Sequence, residues 1–293
     1  MYVDPWASTQ PVRANRASRR SCCTGCGLLI FLGIILVAII GLFVLTPDRT
    51  NILILGIDRA PEGTSLGRSD TIILTTIMPL NPYIGMLSIP RDLWVTIPGV
   101  GENRINTAHF FAESEKQGQG PLATIDTVRF NFGVDVDYYI RVSFDGLKDI
   151  VNAMGGLEIE LENPTGGYGS GKHHLDGDQA LAFVRDRESS DDFFRMERGQ
   201  LFLKAIIKQS IKPSSWMRMP SVVTVALRSI DTNIPSWQLP GILVAVLRTG
   251  TENIDNRLIT REMVHPTTTS SGAQVLIPNW SVINPVLMEM FGQ

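Results

Sequence analysis

Apolar positions along the chain fall into three kinds of run. The first, Gly27–Thr46 (GLLIFLGIILVAIIGLFVLT), is twenty residues without a charge. At about 1.5 Å per residue it is long enough to cross a bilayer core of about 30 Å. The second kind is short and continuous. Asn51–Ile57 (NILILGI), Thr71–Met78 (TIILTTIM) and Ile84–Ile89 predict strands buried on both faces. Met78–Tyr83, with its Asn81-Pro82 turn, is short enough to join the last two as an antiparallel hairpin. Asp137–Val142 predicts another strand, and the alternating Leu157–Leu161 a strand at a sheet edge. The third kind recurs at helical spacing, over Pro121–Phe130, Ser143–Met154, Asp176–Phe183, Arg195–Ile211, Val222–Ile230, Ser236–Leu247 and Val282–Met290. Ser143 is placed to cap its helix and Gly155-Gly156 to end it. The glycine-rich Asn163–His174 reads as a loop. Strands interleaved with helices predict an α/β fold, a three-layer α/β/α sandwich around a central mixed sheet. One N-terminal transmembrane helix precedes it. The organisation expected is a cytoplasmic tail at 1–26, a membrane anchor at 27–46 and one exterior domain at 47–293.

Composition and charge sharpen this picture. The chain has 293 residues, 44% hydrophobic and 19% charged, with a net charge of −3, which excludes disorder as the main state. Its mean hydropathy of +0.10 is high for a water-soluble chain and traces to Gly27–Thr46. Arg13, Arg16, Arg19 and Arg20 precede that run against Asp4 alone, and the rest of the chain is acidic. The excess of arginine sets the N-terminus in the cytoplasm and the long C-terminal part outside, in a single-pass protein of the cell membrane. A cleaved signal peptide fits less well, because the run is too long and no small-residue cleavage site follows it. Cys22, Cys23 and Cys26 are the only cysteines, so the exterior part has no disulfides. They are open to palmitoylation, to a fragment of a metal site, or to a purely structural reading as small residues at a helix end.

Two carboxylates stand at the ends of the first strands: Asp58 directly follows one, and Asp70 directly precedes the next. If these strands are neighbours the two acids meet. Such a pair suits Mg²⁺, which takes one or two carboxylates and completes its shell with phosphate oxygens and water; each acid alone would simply cap a turn. Arginines gather near the same strand ends. Arg68 and Asp70 flank Ser69, Arg91-Asp92 ends the third strand, and Arg185 and Arg187 would share a side if extended. Arg195 and Arg198 share a helix face, as phosphate ligands or as a solvated charged surface. His109, His173, His174 and His265 lack metal-ligand spacing and read as surface residues. No P-loop, nucleophile elbow or zinc-protease motif is present. An acidic exterior domain also argues against nucleic acid as a partner.

In order along the chain, NILILGID, RSDTIILTTIMP, LSIPRDLWVTIPG, NRINTAHFF, VDYYIRVSFDGLKDIVNAMGGLEIEL, LDGDQALAFVRDR and DDFFRMERGQ together resemble the LytR-CpsA-Psr family of cell-wall assembly enzymes. The resemblance runs from about Asn51 to Gln209 and is looser beyond. It implies a Mg²⁺-dependent phosphotransferase that moves a glycopolymer from an undecaprenyl-pyrophosphate carrier to a peptidoglycan hydroxyl. Asp58 and Asp70 would hold the metal, and Arg59, Arg68, Arg91, Arg185, Arg187 and Arg195 the two phosphates. Asp58 or Asp92 would take the acceptor proton, and apolar side chains of sheet and helices would sleeve the lipid. Where the family reads Arg-x-x-Arg-Gln-Gln this chain has Arg195-Met-Glu-Arg198-Gly199-Gln200. Gly199 thus replaces a glutamine that would contact phosphate. Two other classes remain: a non-catalytic polyprenyl-phosphate-binding or regulatory membrane protein, and a polyprenyl pyrophosphatase in which water replaces the sugar hydroxyl.

Overall fold

The computed structural model describes residues 27, 31–33, 48–58, 65–79, 81, 83–186, 192–250 and 253–292. The tail at 1–26, nearly all of the apolar run Gly27–Thr46, Arg59 and Arg187 lie outside the described residues. Among the described residues no helix is long and apolar enough to cross a membrane. The chain divides into two units, Met1–Leu45 and Thr46–Gln293.

The second unit carries the strands β1 (Thr50–Ile57), β2 (Ser69–Met78), β3 (Tyr83–Ser88), the hairpin β4 (Trp94–Ile97) and β5 (Gly101–Arg104), then β6 (Tyr138–Ser143), β7 (Leu157–Leu161), β8 (Gly171–Leu175), β9 (Ile230–Thr232), β10 (Ile254–Leu258), β11 (Val264–Thr268) and β12 (Gln274–Pro278). Its helices are α1 (Asn106–Glu115), α2 (Gly120–Phe132), α3 (Phe144–Met154), α4 (Gly177–Arg185), α5 (Asp192–Ser210), α6 (Met219–Ser229), α7 (Leu239–Thr249) and α8 (Trp280–Phe291). Six strands form the central sheet in the order β10-β3-β2-β1-β6-β9. Its β1–β6 and β3–β10 pairs are parallel, and β1–β2, β2–β3 and β6–β9 antiparallel. The mixed sheet expected from the sequence is therefore present.

The unbroken apolar run of β1 has its reason in this layering: both sheet faces are covered. Leu53, Leu55, Leu74 and Leu87 pack on one side with Val128 and Phe132 of α2 and Leu287 and Phe291 of α8. Ile52, Ile73, Ile77 and Met86 face the other way, toward Leu203 and Ile207 of α5 and Ile242, Ala245 and Val246 of α7. The first face is almost completely sealed, whereas many members of the second are only partly buried.

Local signals act as expected where they are strong. Ser143 accepts a hydrogen bond from the Gly146 N–H at the start of α3, and Gly155 ends it at φ 81°, a left-handed value that glycine adopts without a Cβ clash. Asp176 and Gln179 close a reciprocal capping box on α4. Elsewhere the structure departs from expectation. Leu157–Leu161 is not an edge of the central sheet; it pairs with β8 in a separate hairpin. Its Leu157, Ile159 and Leu161 are buried against α4 and α5 while Glu158 and Glu160 face water. The glycine-rich tract thus ends as a strand. Arg185 closes helix α4 rather than lying in an extended segment with Arg187.

Candidate active site

The C-terminal ends of β1, β3 and β6 and the start of β2 lie along one edge of the sheet, the side on which open α/β sheets hold ligands. Asp58 follows β1 and is buried. Asp70 is the second residue of β2 rather than preceding the strand. Pairing of Ile57 with Ser69 but of Gly56 with Thr71 leaves Asp70 in a bulge, which re-aims its side chain. Asp58 and Asp70 thus sit at adjoining positions of paired strands.

Each acid is gripped by a different arginine. Arg185 at the end of α4 reaches Asp58 Oδ1 at 2.5 Å through Nη2, with its guanidinium 4.8 Å above the Phe144 ring. Arg91 donates from Nη1 to Asp70 Oδ1 at 2.6 Å and from Nε to Asp192 Oδ2 at 3.0 Å. Burial opposes the Arg91 charge, but Asp70, Asp192 and Asp92 outweigh it and raise its pKa further above the usual value. Arg195 donates to the Asp70 carbonyl at 3.4 Å and pairs with Asp192 at 3.3 Å. Arg68 stands exposed at the rim. The cluster interlocks β1, β2, the β3 exit and α5.

Asp92 joins the same web. Arg104 Nη1 is 3.2 Å from its Oδ1 and Arg91 Nε 3.4 Å from its Oδ2. Burial pushes its pKa up and a hydrogen bond to Asp192 adds to this, while Asp192, though also buried, is held low by Arg195, Asp92 and Arg91. Of the two, Asp92 is therefore the acid whose neutral form is favoured, and Asp192 the one held ionised.

The arginines of α5 are not a solvated face. Arg198 is 1% exposed and donates to the Asp186 carbonyl, and the Arg195 side chain is 11% exposed. A cavity of about 460 Å³ lined by the Pro164–Gly169 loop, Phe194 and Arg198 opens beside them. Gln200 does not stand in for the missing glutamine: its Nε2 donates to the carbonyls of Arg257 (2.7 Å) and Met86 (3.4 Å), fastening α5 to β10 and β3. A Cβ built on Gly199 meets nothing within 4 Å. Gly199→Ala should therefore stabilise the protein by about 0.5–1 kcal/mol, the usual cost of glycine within a helix. A rise in melting temperature checks this; a fall would mean that the helix needs the bare position.

His109 overturns its reading as a surface residue. It is fully buried. Its Nδ1 lies 2.8 Å from the Gly67 carbonyl and its Nε2 3.2 Å from Arg141 Nη1. The ring therefore donates from Nδ1 and accepts at Nε2, the neutral form. Burial lowers its pKa and the Arg141 charge lowers it further, against the opposing pull of the Gly67 bond. Arg141 also pairs with Glu113 at 3.0 Å and Asp231 at 2.7 Å. Glu113 Oε2 accepts from the Gly118 and Gly120 N–H groups. This web holds Gly67, the residue before Arg68, and so fixes the approach to Asp70. Nothing in local periodicity marks it; the NRINTAHFF match was its only signal.

Among the described residues no group of three or more His, Cys, Asp or Glu is gathered as a metal cage. The donor chemistry of Asp58 and Asp70, two hard oxygen acids at adjoining strand ends, nonetheless fits a cation that draws its remaining ligands from phosphate and water.

Comparison with known proteins places the fold. The polyisoprenyl-teichoic acid–peptidoglycan teichoic acid transferase TagU of Oceanobacillus iheyensis is 33% identical over 251 residues, 84% of this chain and 76% of that protein. The transferase of the same name from Halalkalibacterium halodurans is 36% identical over 225 residues, 73% and 70% of the two chains. The crystal structure of Bacillus subtilis TagV superposes with a TM-score of 0.68 at 27% identity, covering 84% of this chain and 98% of that one. A family model, LytR_cpsA_psr, matches residues 43–286. The chain belongs to the LytR-CpsA-Psr family.

Proposed function

We propose that this chain transfers a glycopolymer phosphate from a polyprenyl-pyrophosphate carrier, undecaprenyl in kind, to a hydroxyl of peptidoglycan. The chain is a transferase, as its relatives' names indicate. The observation that carries the finer reading is the cluster itself: Arg91, Arg185 and Arg195 interlocked with Asp58, Asp70 and Asp192 at one sheet edge. Phosphoryl transfer asks for positioning and charge neutralisation more than for covalent work. Arg91, Arg185 and Arg195, with Arg68 at the rim, would hold the pyrophosphate oxygens by their planar forks. Arg59 and Arg187 belong to the same motifs. The acceptor oxygen attacks the glycopolymer-side phosphorus, the bridging P–O bond breaks, and polyprenyl phosphate leaves. Mg²⁺ held by Asp58 and Asp70 would neutralise the charge that develops on the phosphoryl oxygens.

The partly buried apolar face, with Ile54, Ile140, Leu203 and Ile207, would sleeve the isoprenoid. The run Gly27–Thr46 would anchor the domain beside its carrier, the N-terminus cytoplasmic. The test is transfer of a labelled lipid-linked glycopolymer to peptidoglycan by the purified full chain. Product should form with Mg²⁺ and cease on chelation. Release of polyprenyl phosphate and free glycopolymer phosphate without modified peptidoglycan would instead identify a pyrophosphatase, and binding without turnover a regulator.

Burial and the hydrogen bond with Asp192 favour the neutral form of Asp92, and the role of taking the acceptor proton is therefore assigned to Asp58. Asp92→Asn keeps a hydrogen-bond donor toward Asp192 and should retain most of the transfer rate. A loss of about 10²–10⁴-fold, the scale of a missing general base, would return that role to Asp92.

A further inference from the structure

Helix α7 lies along the edge of the sheet opposite the site. Gln238, just before it, donates to the Tyr138 hydroxyl at the start of β6, and Arg248 near its end donates to the Pro79 carbonyl in the β2–β3 turn. Both anchor points neighbour the first residues of β1, since Ile52 pairs with Tyr138 and Thr50 with Ile77. Thr50 is also where the chain arrives from the apolar run, which ends only at Thr46. The outer face of α7 has the wrong chemistry for water. Trp237, Leu239, Leu243 and Leu247 are each about half exposed or more, while Ile242 and Ala245 of the same helix pack inward on the sheet. From Ser236 to Gly250 the only charged residue is Arg248. A helix apolar on all sides is normally covered, and a strip of this kind at a protein surface marks a contact.

We propose that this face of α7 rests on the membrane itself, its leucines in the acyl boundary and Trp237 at headgroup level, as aromatic side chains prefer. With at most three residues between the apolar run and β1, the edge that carries α7 is held at the bilayer. The strip is thus presented to lipid by chain connectivity. The partly buried face between α5, α7 and the sheet leads from that edge into the fold. The proposal rests on the anchorage proposed above, and its test separates the two.

The full chain is reconstituted into phosphatidylcholine–phosphatidylglycerol vesicles, floated, and labelled briefly with hydroxyl radicals. Leu243, Leu247 and Trp237 should be labelled several-fold less than Phe194, which is exposed at the opposite edge. Lipids brominated near the headgroup should quench fluorescence that is missing from Trp237→Phe. Leu243→Glu/Leu247→Glu should float normally yet recover labelling at Trp237. A chain that floats but labels evenly overturns the docking while leaving the anchor intact; a chain that fails to float overturns the anchor first. Protection without quenching also overturns it, in favour of a second copy or the chain's own apolar run as the cover.

Discussion

Arg91→Ala should abolish measurable transfer, and Arg91→Lys should recover only a small part of it. The alanine variant removes the fork that joins Asp70 and Asp192 and leaves three acids, Asp70, Asp92 and Asp192, without their shared cation. Loss of a single stabilising donor at a reaction centre costs about 10²–10³-fold in rate. Here positioning of Asp70 is lost as well, so the alanine variant falls at or beyond that range. Lysine restores a point charge but cannot satisfy two carboxylates in one plane. The fold should survive, because the Arg91 side chain is 23% exposed and lies outside the apolar core. Initial rates of transfer, with far-ultraviolet circular dichroism as the folding control, check this. An alanine variant within tenfold of the parent rate would remove Arg91 from the site.

The parts of this site that could be read from the sequence are those written in short continuous segments. β1, β2 and β3 are apolar because both sheet faces are covered, and the acids and arginines at their ends follow directly from where the runs stop. What escaped depends on contacts between distant segments. His109 sits on α1, a helix that buries Asn106, Thr107, His109 and Glu113, so apolar periodicity never marked it. β10 is a polar edge strand that exists through parallel pairing with β3, far away in sequence. Arg198 looks like a surface charge until the Pro164–Gly169 loop and the Asp186 carbonyl close on it. Gln200 stands where the family motif has its last glutamine, yet its carbonyl partners on β3 and β10 make it a fastener.

The second large effect concerns stability. Arg141→Met should destabilise the domain by about 3–5 kcal/mol, the cost of leaving a buried charge without its partner. The charge left behind is Glu113, whose side chain is 2% exposed. Methionine keeps most of the arginine's volume, so a cavity does not account for the loss. The melting temperature should fall by on the order of 10 °C, at about 2–4 °C per kcal/mol for a domain of this size. Adding Glu113→Gln should recover much of the deficit, since it removes the orphaned charge while leaving an acceptor for the Gly118 and Gly120 N–H groups; a cavity or a misfolded variant would not be rescued. Acid should act on the same web. Burial lowers the His109 pKa from 6.5. Burial works against the Glu113 charge, but the two glycine N–H bonds and Arg141 hold that pKa below 4.5. Both folded values lie beneath the unfolded ones, so the unfolded chain binds more protons in each interval. The stabilisation is complete above about pH 6.5 and is lost first through His109 and then, below about 4.5, through Glu113. Removing Arg141 relieves the depression of both groups, so the variant should lose less stability than the parent between pH 7 and 4. Denaturant titrations of both proteins across that range decide it: parallel curves would mean that Arg141 does not couple to either group.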